Sequence, residues 1–323
     1  MKEIGGYLEL EELAGEEYYK DMYRLNLGRT ALLYLCRLRG CKKLILPYFL
    51  CDSVIESCRQ EGIAIEYYHI DRNLIPQVPD ALESGAYLYL VNYYGQLTDK
   101  SILYYKKKYK HIIVDHTHAF FQRPLPGVDT IYSCRKFFGL PDGAYLSTDA
   151  SPVLPLSQDL SGSRMEHLLG RYEKDAASYY STMLNNASSF QQESPKLMSR
   201  LTQNLLKGID YERIIERREI NYRRLDKYLG DRNPLPFQMP RGPFTYPFYY
   251  PKGIELRKLT ASCKLYLPTY WNNVIQHAAA ESAEYDYASN ILPLPCDQRY
   301  SPRDMDAVAE RLFAAIKDLE REK

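Results

Sequence analysis

The chain has 323 residues, of which 45% are hydrophobic and 26% charged, and this composition excludes a mainly disordered protein. Its 42 Lys and Arg residues nearly balance its 41 Asp and Glu residues, which leaves a net charge of +1. That balance gives no electrostatic reason to expect nucleic acid or an anionic membrane as a partner. No segment approaches the roughly 18 apolar residues of a membrane span, and the acidic, polar N-terminus does not resemble a signal peptide.

The seven cysteines form no CxxC pair and no metal-ligand spacing with histidine. We therefore expect reduced, mostly buried thiols, no metal centre and a cytoplasmic location.

The first 150 residues alternate between short apolar segments and helical patterns. The apolar segments, which predict buried strands, lie at 43–48, 63–70, 86–93, 112–116, 130–133 and 143–147. Helical patterns lie between the early ones, at 30–39, 52–61 and 99–110. This strand–helix–strand repetition predicts an α/β fold with a mostly parallel sheet flanked by helices.

Beyond residue 150 the sequence is polar and mostly helical in pattern, with no strand of note up to residue 210. The segments predicted after it are a charged helix, an aromatic strand and two more helices, at 214–230, 244–253, 255–264 and 301–323. We therefore predict a large domain at 1–210, with an N-terminal arm at 1–24, and a smaller α+β domain at 211–323.

Asp115 lies at the carboxyl end of a predicted strand, where ligands of open α/β sheets bind. Taken alone, a helix cap or a turn residue is an equally good interpretation of this side chain. His118 follows three residues later. A single histidine near a strand end is more often structural than catalytic, so its proximity to Asp115 favours a functional role only modestly.

A later strand leads through Ser133 into a turn that contains Lys136. A lysine there could be a Schiff-base nucleophile, although most lysines are solvated surface charges.

Near the N-terminus, Gly28 precedes a helix that begins with Arg29 and Thr30, and a helix start can bind phosphate through its free N–H groups. An ordinary glycine-capped helix is the simpler alternative. Together, a lysine, a carboxylate and an anion site match the aldehyde, ring nitrogen and phosphate of pyridoxal phosphate.

Four segments, in this order along the chain, resemble the DegT/DnrJ/StrS family of pyridoxal-phosphate aminotransferases: LGRTALLYL, YLVNYYGQLTDK, VDHTHAFF and YSCRKFFGLPDGAYL. The resemblance implies PLP fold type I, with the cofactor bound by the large domain, and a homodimer. It also implies an amino donor such as glutamate and a keto sugar nucleotide or similar keto compound as acceptor, in polysaccharide or secondary-metabolite biosynthesis.

The resemblance also implies roles for individual residues. Lys136 matches the lysine that binds the cofactor and moves a proton, Asp115 the carboxylate that pairs with the pyridine nitrogen, and His118 a position beside the ring. The positions that match the phosphate site are Gly28, Arg29, Thr30 and Ser133. The residues expected near the substrate are Tyr48, Asn92, Tyr94 and Arg299. For the last of these, a surface salt bridge is an equally good interpretation.

Lys136 favours transamination over dehydration, because dehydratases of the family typically carry histidine there. The family's Asn-Tyr-Arg-Met segment, which helps to complete the partner subunit's site, is not recognisable within 151–210. Two alternatives stay open: a non-catalytic aminotransferase-like binding protein, or a pyridoxal-phosphate enzyme of another reaction type such as a lyase or racemase. The aromatic residues at 244–250 and at 270–271 could stack on a sugar or a base. Strand packing within the smaller domain is the favoured interpretation of them.

Overall fold

The structure is a computed structural model that describes residues 4–151, 154–191 and 193–321. The first three residues of the predicted N-terminal arm lie outside this range. The strands are β1 (Tyr23–Leu25), β2 (Lys43–Pro47), β3 (Ala64–Ile70), β4 (Pro76–Gln77), β5 (Ala86–Val91), β6 (Ile112–Asp115), β7 (Asp129–Ser133), β8 (Ala144–Ser147), β9 (Tyr246–Tyr249) and β10 (Ile291–Leu294). The helices are α1 (Gly28–Arg39), α2 (Asp52–Gln60), α3 (Asp99–Tyr109), α4 (Glu166–Glu173), α5 (Tyr180–Ser189), α6 (Arg200–Lys207), α7 (Tyr211–Leu229), α8 (Gly253–Ser262), α9 (Asn272–His277), α10 (Ala283–Asn290) and α11 (Pro302–Arg321).

Eight strands form one sheet in the order β1-β8-β7-β6-β5-β2-β3-β4. Its centre, from β7 to β3, is parallel. The outer strands β1, β8 and β4 pair antiparallel. The central strands are nearly continuous runs of buried apolar residues, because helices cover both faces of the parallel part. The mostly parallel sheet predicted from the sequence is confirmed.

The two faces of this sheet pack against different helices. Tyr89, Ile113 and Ile131 belong to the core shared with α1 and α2, whereas Leu90 and Val114 belong to the core shared with α3, α9 and α10. Side chains alternate between faces along a strand. The residue at the end of β6 and the residue at the end of β7 therefore lie on the face that α1 covers.

A further hydrophobic cluster joins α7, α8 and α11 to the two-stranded antiparallel sheet of β9 and β10. Leu225, Phe248, Leu292 and Leu312 are among its buried side chains. Residues 211–321 thus have a core of their own, although α9 and α10 also pack against the large sheet. The predicted boundary after residue 210 stays a prediction.

The six strands predicted in the first 150 residues agree with the structure to within two residues at each end. Helix α1 begins earlier than predicted, since the Thr30 hydroxyl accepts the N–H of Leu27 at 3.2 Å and caps the first turn. The sequence did not predict β1, β4, β10, α9 or α10. β1 has three residues and pairs only with β8, so its strand conformation depends on a distant partner. Among the described residues no helix is long and apolar enough to span a bilayer.

Candidate active site

Asp115 is a buried carboxylate at the end of β6. Its Oδ1 accepts the N–H of Thr117 at 2.8 Å, and its Oδ2 accepts the hydroxyl of Tyr89 at 2.7 Å. Burial raises the pKa of Asp115, while these hydrogen bonds and the positive charge of Lys136 act in the opposite direction. Within the described part of the chain, no lysine, arginine or histidine nitrogen lies within 4.0 Å of this carboxylate. The buried acid is therefore without a cationic partner among the described residues.

Lys136 ends a short 3-10 turn after β7, and its side chain is exposed. Its Nζ lies 5.9 Å from the centre of the Tyr270 ring. The positive charge of Lys136 acts on both Asp115 and His118, because it lowers the pKa of each. The three residues predicted to be catalytic therefore lie in one region of the structure.

His118 is buried in a group of aromatic rings. It stacks on Phe244 with ring centres 4.3 Å apart, and the rings of Tyr94, Tyr270 and Trp271 lie 5.6, 5.8 and 5.6 Å away. Burial, and then the charge of Lys136, lowers the pKa of His118 to about 3, so its imidazole is neutral at pH 7. Its Nδ1 is buried without a hydrogen-bond partner among the described residues. An unpartnered buried polar atom costs about 1–3 kcal/mol, so this nitrogen is suited to a ligand atom.

The start of α1 lies against the end of β7. A Cβ placed on Gly28 would be 3.7 Å from the Ser133 Cβ. The N–H groups of Gly28, Arg29 and Thr30 have no acceptor within the helix, because they belong to its first turn. The Thr30 side chain is buried and donates its hydroxyl to Asn26 Oδ1 at 2.6 Å, so only its backbone faces the helix end.

The turn that carries Lys136 depends on a glycine. The N–H of Cys134 bonds to the carbonyl of Gly143 at 3.1 Å, which closes the loop between β7 and β8. Gly143 has φ +120°, and a Cβ there would lie 3.0 Å from Thr202 Cγ2 and 3.3 Å from Cys134 Cβ. Only glycine satisfies both the backbone conformation and the space.

Arg218 of α7 holds the same turn from the C-terminal part of the chain. It is 2% exposed and donates to the carbonyls of Phe137 and Pro243 at 3.0 and 2.9 Å. It also donates to Gln298 Oε1 at 2.8 Å, and Gln298 in turn donates to the Phe137 carbonyl at 2.8 Å. The residue that follows Lys136 is therefore anchored by two side chains from beyond residue 210.

Of the residues expected near the substrate, Tyr94 lies beside His118, whereas Asn92 is engaged elsewhere. The Asn92 side chain is fully buried, donates to Gln122 Oε1 at 2.7 Å and accepts the N–H of Leu97 at 2.7 Å. These bonds hold the loop after β5, and they occupy both ends of the amide.

Tyr48 and Arg299 also have other partners. The Tyr48 hydroxyl donates to the carbonyl of His277 at 2.9 Å, and its ring stacks on His69. Arg299 is exposed and makes a two-point ion pair with Asp297 at 2.7 and 2.8 Å. This is the surface salt bridge that the sequence left as an equal interpretation.

Sequence reasoning missed the hydrogen-bond donor to Asp115 and the aromatic surroundings of His118. The aromatic segments were the available signal, but we interpreted them as strand packing. For Tyr270 and Trp271 that interpretation is wrong, because both lie in the loop before α9 and close around His118. Phe244 likewise precedes β9 rather than belonging to it.

Solved structures of similar fold are aminotransferases. A DegT DnrJ EryC1 StrS aminotransferase from Brucella abortus has a TM-score of 0.62 and 15% identity, over 91% of this chain and 86% of its own. NtdA from Bacillus subtilis with bound cofactor PMP has a TM-score of 0.65 and 15% identity, over 93% of this chain and 74% of its own. Helicobacter pylori PseC, an aminotransferase involved in the biosynthesis of pseudoaminic acid, has a TM-score of 0.62 and 14% identity, over 95% of this chain and 100% of its own.

The sequence matches no protein-family model, and no curated protein is significantly similar to it. At such low identities the structural similarity shows the fold. The chain has the fold of the DegT/DnrJ/EryC1/StrS aminotransferases, which is PLP fold type I, and the fold expected from the sequence resemblance is thereby confirmed.

Proposed function

We propose that this chain is a pyridoxal-phosphate-dependent aminotransferase that moves an amino group from an amino acid such as glutamate to a keto sugar nucleotide or a similar keto compound. One observation carries the proposal: the charge of the exposed Lys136 acts on the buried carboxylate of Asp115 and on the buried imidazole of His118. Among the described residues, that carboxylate has no cationic partner and the imidazole Nδ1 has no hydrogen-bond partner. The fold supports it, because the similar solved structures are aminotransferases.

The residues of this region fit pyridoxal phosphate. When bound, the cofactor supplies an aldehyde that takes up amino groups and a ring that withdraws electrons from the adjacent carbon. Asp115 would hold the ring nitrogen in its protonated form, and that cation would compensate the buried carboxylate. The first turn of α1 and the Ser133 hydroxyl would hold the phosphate, and Lys136 would bind the aldehyde.

Lys136, Asp115 and His118 have different roles in the proposed reaction. The Lys136 side chain, as a free amine, would accept the proton from the α-carbon of the amino donor and would return a proton to the acceptor. Asp115 would keep the ring nitrogen protonated, and its charge would act strongly because the side chain is buried. His118 is neutral at pH 7 and acts as a hydrogen-bonding group rather than as an acid. The rings around it exclude water from the reacting region.

Absorbance spectra test the proposal. The purified full chain, mixed with pyridoxal phosphate, is expected to turn yellow as the cofactor attaches, and glutamate or another amino donor is expected to bleach that colour. Lys136→Ala should abolish the yellow band, whereas Lys107→Ala, at an exposed position of α3, should keep it. A wild-type protein that stays colourless and ignores the cofactor would count decisively against the proposal.

The same experiment separates the alternatives. A protein that binds the cofactor but shows no half-reaction with any amino donor would be a non-catalytic binding protein. A protein that consumes an amino acid without storing its amino group would be a lyase or a racemase, and analysis of the products would identify which.

We also propose a homodimer in the cytoplasm, acting in polysaccharide or secondary-metabolite biosynthesis. A run of exposed apolar side chains in the N-terminal segment supports the dimer, because Ile4, Tyr7 and Leu8 are 96%, 98% and 91% exposed. The described cysteines, all of them free thiols, are consistent with a reducing compartment. Sedimentation equilibrium of the purified chain tests the dimer, and a monomer at micromolar concentration would contradict it.

A further inference from the structure

Two arginines beside the start of α1 make no ion pair with a described residue, and the charge of Glu193 acts on Arg29 only from beyond ion-pair distance. Arg29 donates to the carbonyl of Phe190, and the Arg135 guanidinium stacks on the Phe190 ring, with its carbon 4.4 Å from the ring centre. Across residues 4–151, 154–191 and 193–321, neither makes an ion pair within 4.0 Å, and no protein acceptor binds the Arg135 guanidinium. Both side chains are only partly accessible to solvent.

The other charges nearby are already paired. Arg164, which also lies over the Phe190 ring at 4.8 Å, makes a two-point ion pair with Asp159 at 2.8 Å. Lys196 contacts Glu193 at 2.7 Å. Asp142, whose charge acts on Arg135, accepts the hydroxyls of Ser199 and Thr202 and the N–H of Ser199. Of these basic side chains around Phe190, only Arg29 and Arg135 therefore lack an ion-pair partner within 4.0 Å among the described residues.

Holding two like charges together in a partly dry place is unfavourable unless an anion compensates them. Burial and then the charge of Arg29 lower the pKa of Arg135 to about 10, which reflects this cost. The place itself is electropositive, because Arg29 belongs to the first turn of α1, whose free N–H groups attract anions. Arg135 lies between Ser133 and Lys136 in the sequence, so its backbone belongs to the same turn as the lysine.

We propose that Arg135, together with Arg29, binds a phosphate monoester dianion at the start of α1. Given the proposed function, that anion is the phosphate of the cofactor. The guanidinium groups then supply from this chain the charge that neutralises the phosphate, and they orient the cofactor toward Lys136. Arginine suits this role because its fork of N–H donors matches phosphate oxygens in pairs.

The test compares ligands with and without phosphate on the cofactor-free full chain. Affinities for pyridoxal phosphate and for pyridoxal, which lacks the phosphate, are measured by absorbance titration, and the unfolding temperature is measured with inorganic phosphate. The variants are Arg135→Gln, Arg135→Lys and the control Arg232→Gln, whose guanidinium stacks on Phe313 at 5.1 Å in the smaller domain.

We expect Arg135→Gln to weaken pyridoxal phosphate binding about tenfold or more, to leave pyridoxal binding unchanged, and to abolish stabilisation by inorganic phosphate. Arg135→Lys should lose less affinity for pyridoxal phosphate, because lysine keeps the positive charge but not the paired N–H donors of arginine. If Arg135→Gln does not fold, the affinities of Arg135→Lys decide the question. Arg232→Gln should resemble wild type in all three measurements.

If Arg135→Gln binds pyridoxal phosphate and pyridoxal more weakly by the same factor, Arg135 only shapes the lysine turn, and the proposal is overturned. Unchanged affinities for both ligands would overturn it as well. If wild type binds neither pyridoxal compound but is stabilised by inorganic phosphate in an Arg135-dependent way, the cofactor assignment fails and the anion site stands. If inorganic phosphate stabilises no form of the protein and Arg135→Gln binds pyridoxal phosphate normally, the anion site is absent.

Discussion

Tyr89 donates its hydroxyl to Asp115 Oδ2 at 2.7 Å, and both side chains are buried. The register of two parallel strands produces this contact. Val91 of β5 is opposite Asp115 of β6, so Tyr89 lies on the same face, two residues earlier along β5. The hydrogen bond favours the ionised carboxylate, whereas burial opposes it. The strand register thus fixes the position of the Asp115 carboxylate and supplies one of its hydrogen-bond donors.

Replacing that donor should cost stability. Tyr89→Phe leaves a buried Asp115 oxygen with one donor fewer, and we expect the free energy of unfolding to fall by about 1–3 kcal/mol. Urea denaturation measures this free energy of unfolding. The matched control is Tyr87→Phe, on the same strand and face, whose hydroxyl bonds to no described residue; a change within about 0.5 kcal/mol is expected. Similar losses in the two variants would refute a special role for Tyr89.

Asp115 should make the cofactor-free protein less stable as the pH rises. Because burial raises the folded-state pKa of Asp115, the native state holds its proton longer than the unfolded state does. Stability is therefore greatest below the unfolded pKa of about 3.9 and falls as the pH rises through the folded pKa. Asp115→Asn should lack this fall, so its stability relative to wild type should increase from about pH 4 toward neutrality. Denaturation curves measured at a series of pH values check this prediction. A difference in unfolding free energy between Asp115→Asn and wild type that does not change with pH would contradict it.

The same substitution should strongly impair the proposed reaction. Without the carboxylate, nothing in the described site holds a positive charge on the cofactor ring, and we expect kcat to fall by about 100- to 1,000-fold. Single-turnover bleaching with glutamate measures the loss. Cofactor attachment through Lys136 should persist, so an Asp115→Asn protein that is yellow but slow is the expected outcome, and a fully active one would exclude the assigned role.

His118 should contribute the opposite pH dependence. Its folded pKa of about 3 lies below the unfolded value of about 6.5. The stability it contributes is present above pH 6.5 and is lost as the pH falls toward 3, with a limiting slope of about 1.4 kcal/mol per pH unit. His118→Gln should lessen the acid slope by this amount and leave the contribution of His116, whose pKa burial also lowers to about 3. His111→Gln, at an exposed position, should leave the slope unchanged. Parallel acid-denaturation curves for all three proteins would disprove the prediction.

Arg218 should be needed for the turn that carries Lys136. Arg218→Met leaves the carbonyls of Phe137 and Pro243 without their charged donor, and we expect a loss of about 3 kcal/mol or more in unfolding free energy. Cofactor attachment to the folded variant should also slow, because the turn is less firmly held. Arg213→Met, on an exposed position of the same helix, is the control and should change stability by less than about 0.5 kcal/mol.

The sequence by itself was sufficient to predict the parallel sheet, helices α1 to α3 and the placement of Asp115 at a strand end. Buried parallel strands and amphipathic helices carry their signal in neighbouring residues, so a local pattern reveals them. The resemblance, which rests on short ordered motifs, similarly pointed to Lys136 and to a fold that the solved structures bear out.

Only the tertiary structure decided what surrounds these groups. The hydrogen bond from Tyr89 to Asp115 comes from strand register, and the anchor of the lysine turn comes from α7. The rings around His118 come from three other segments, which follow β5, precede β9 and precede α9. That Arg135 forms no ion pair with a described residue, although the charge of Asp142 acts on it, is likewise a property of packing. Such contacts depend on how separate elements approach one another, and no local spacing of residues encodes that approach.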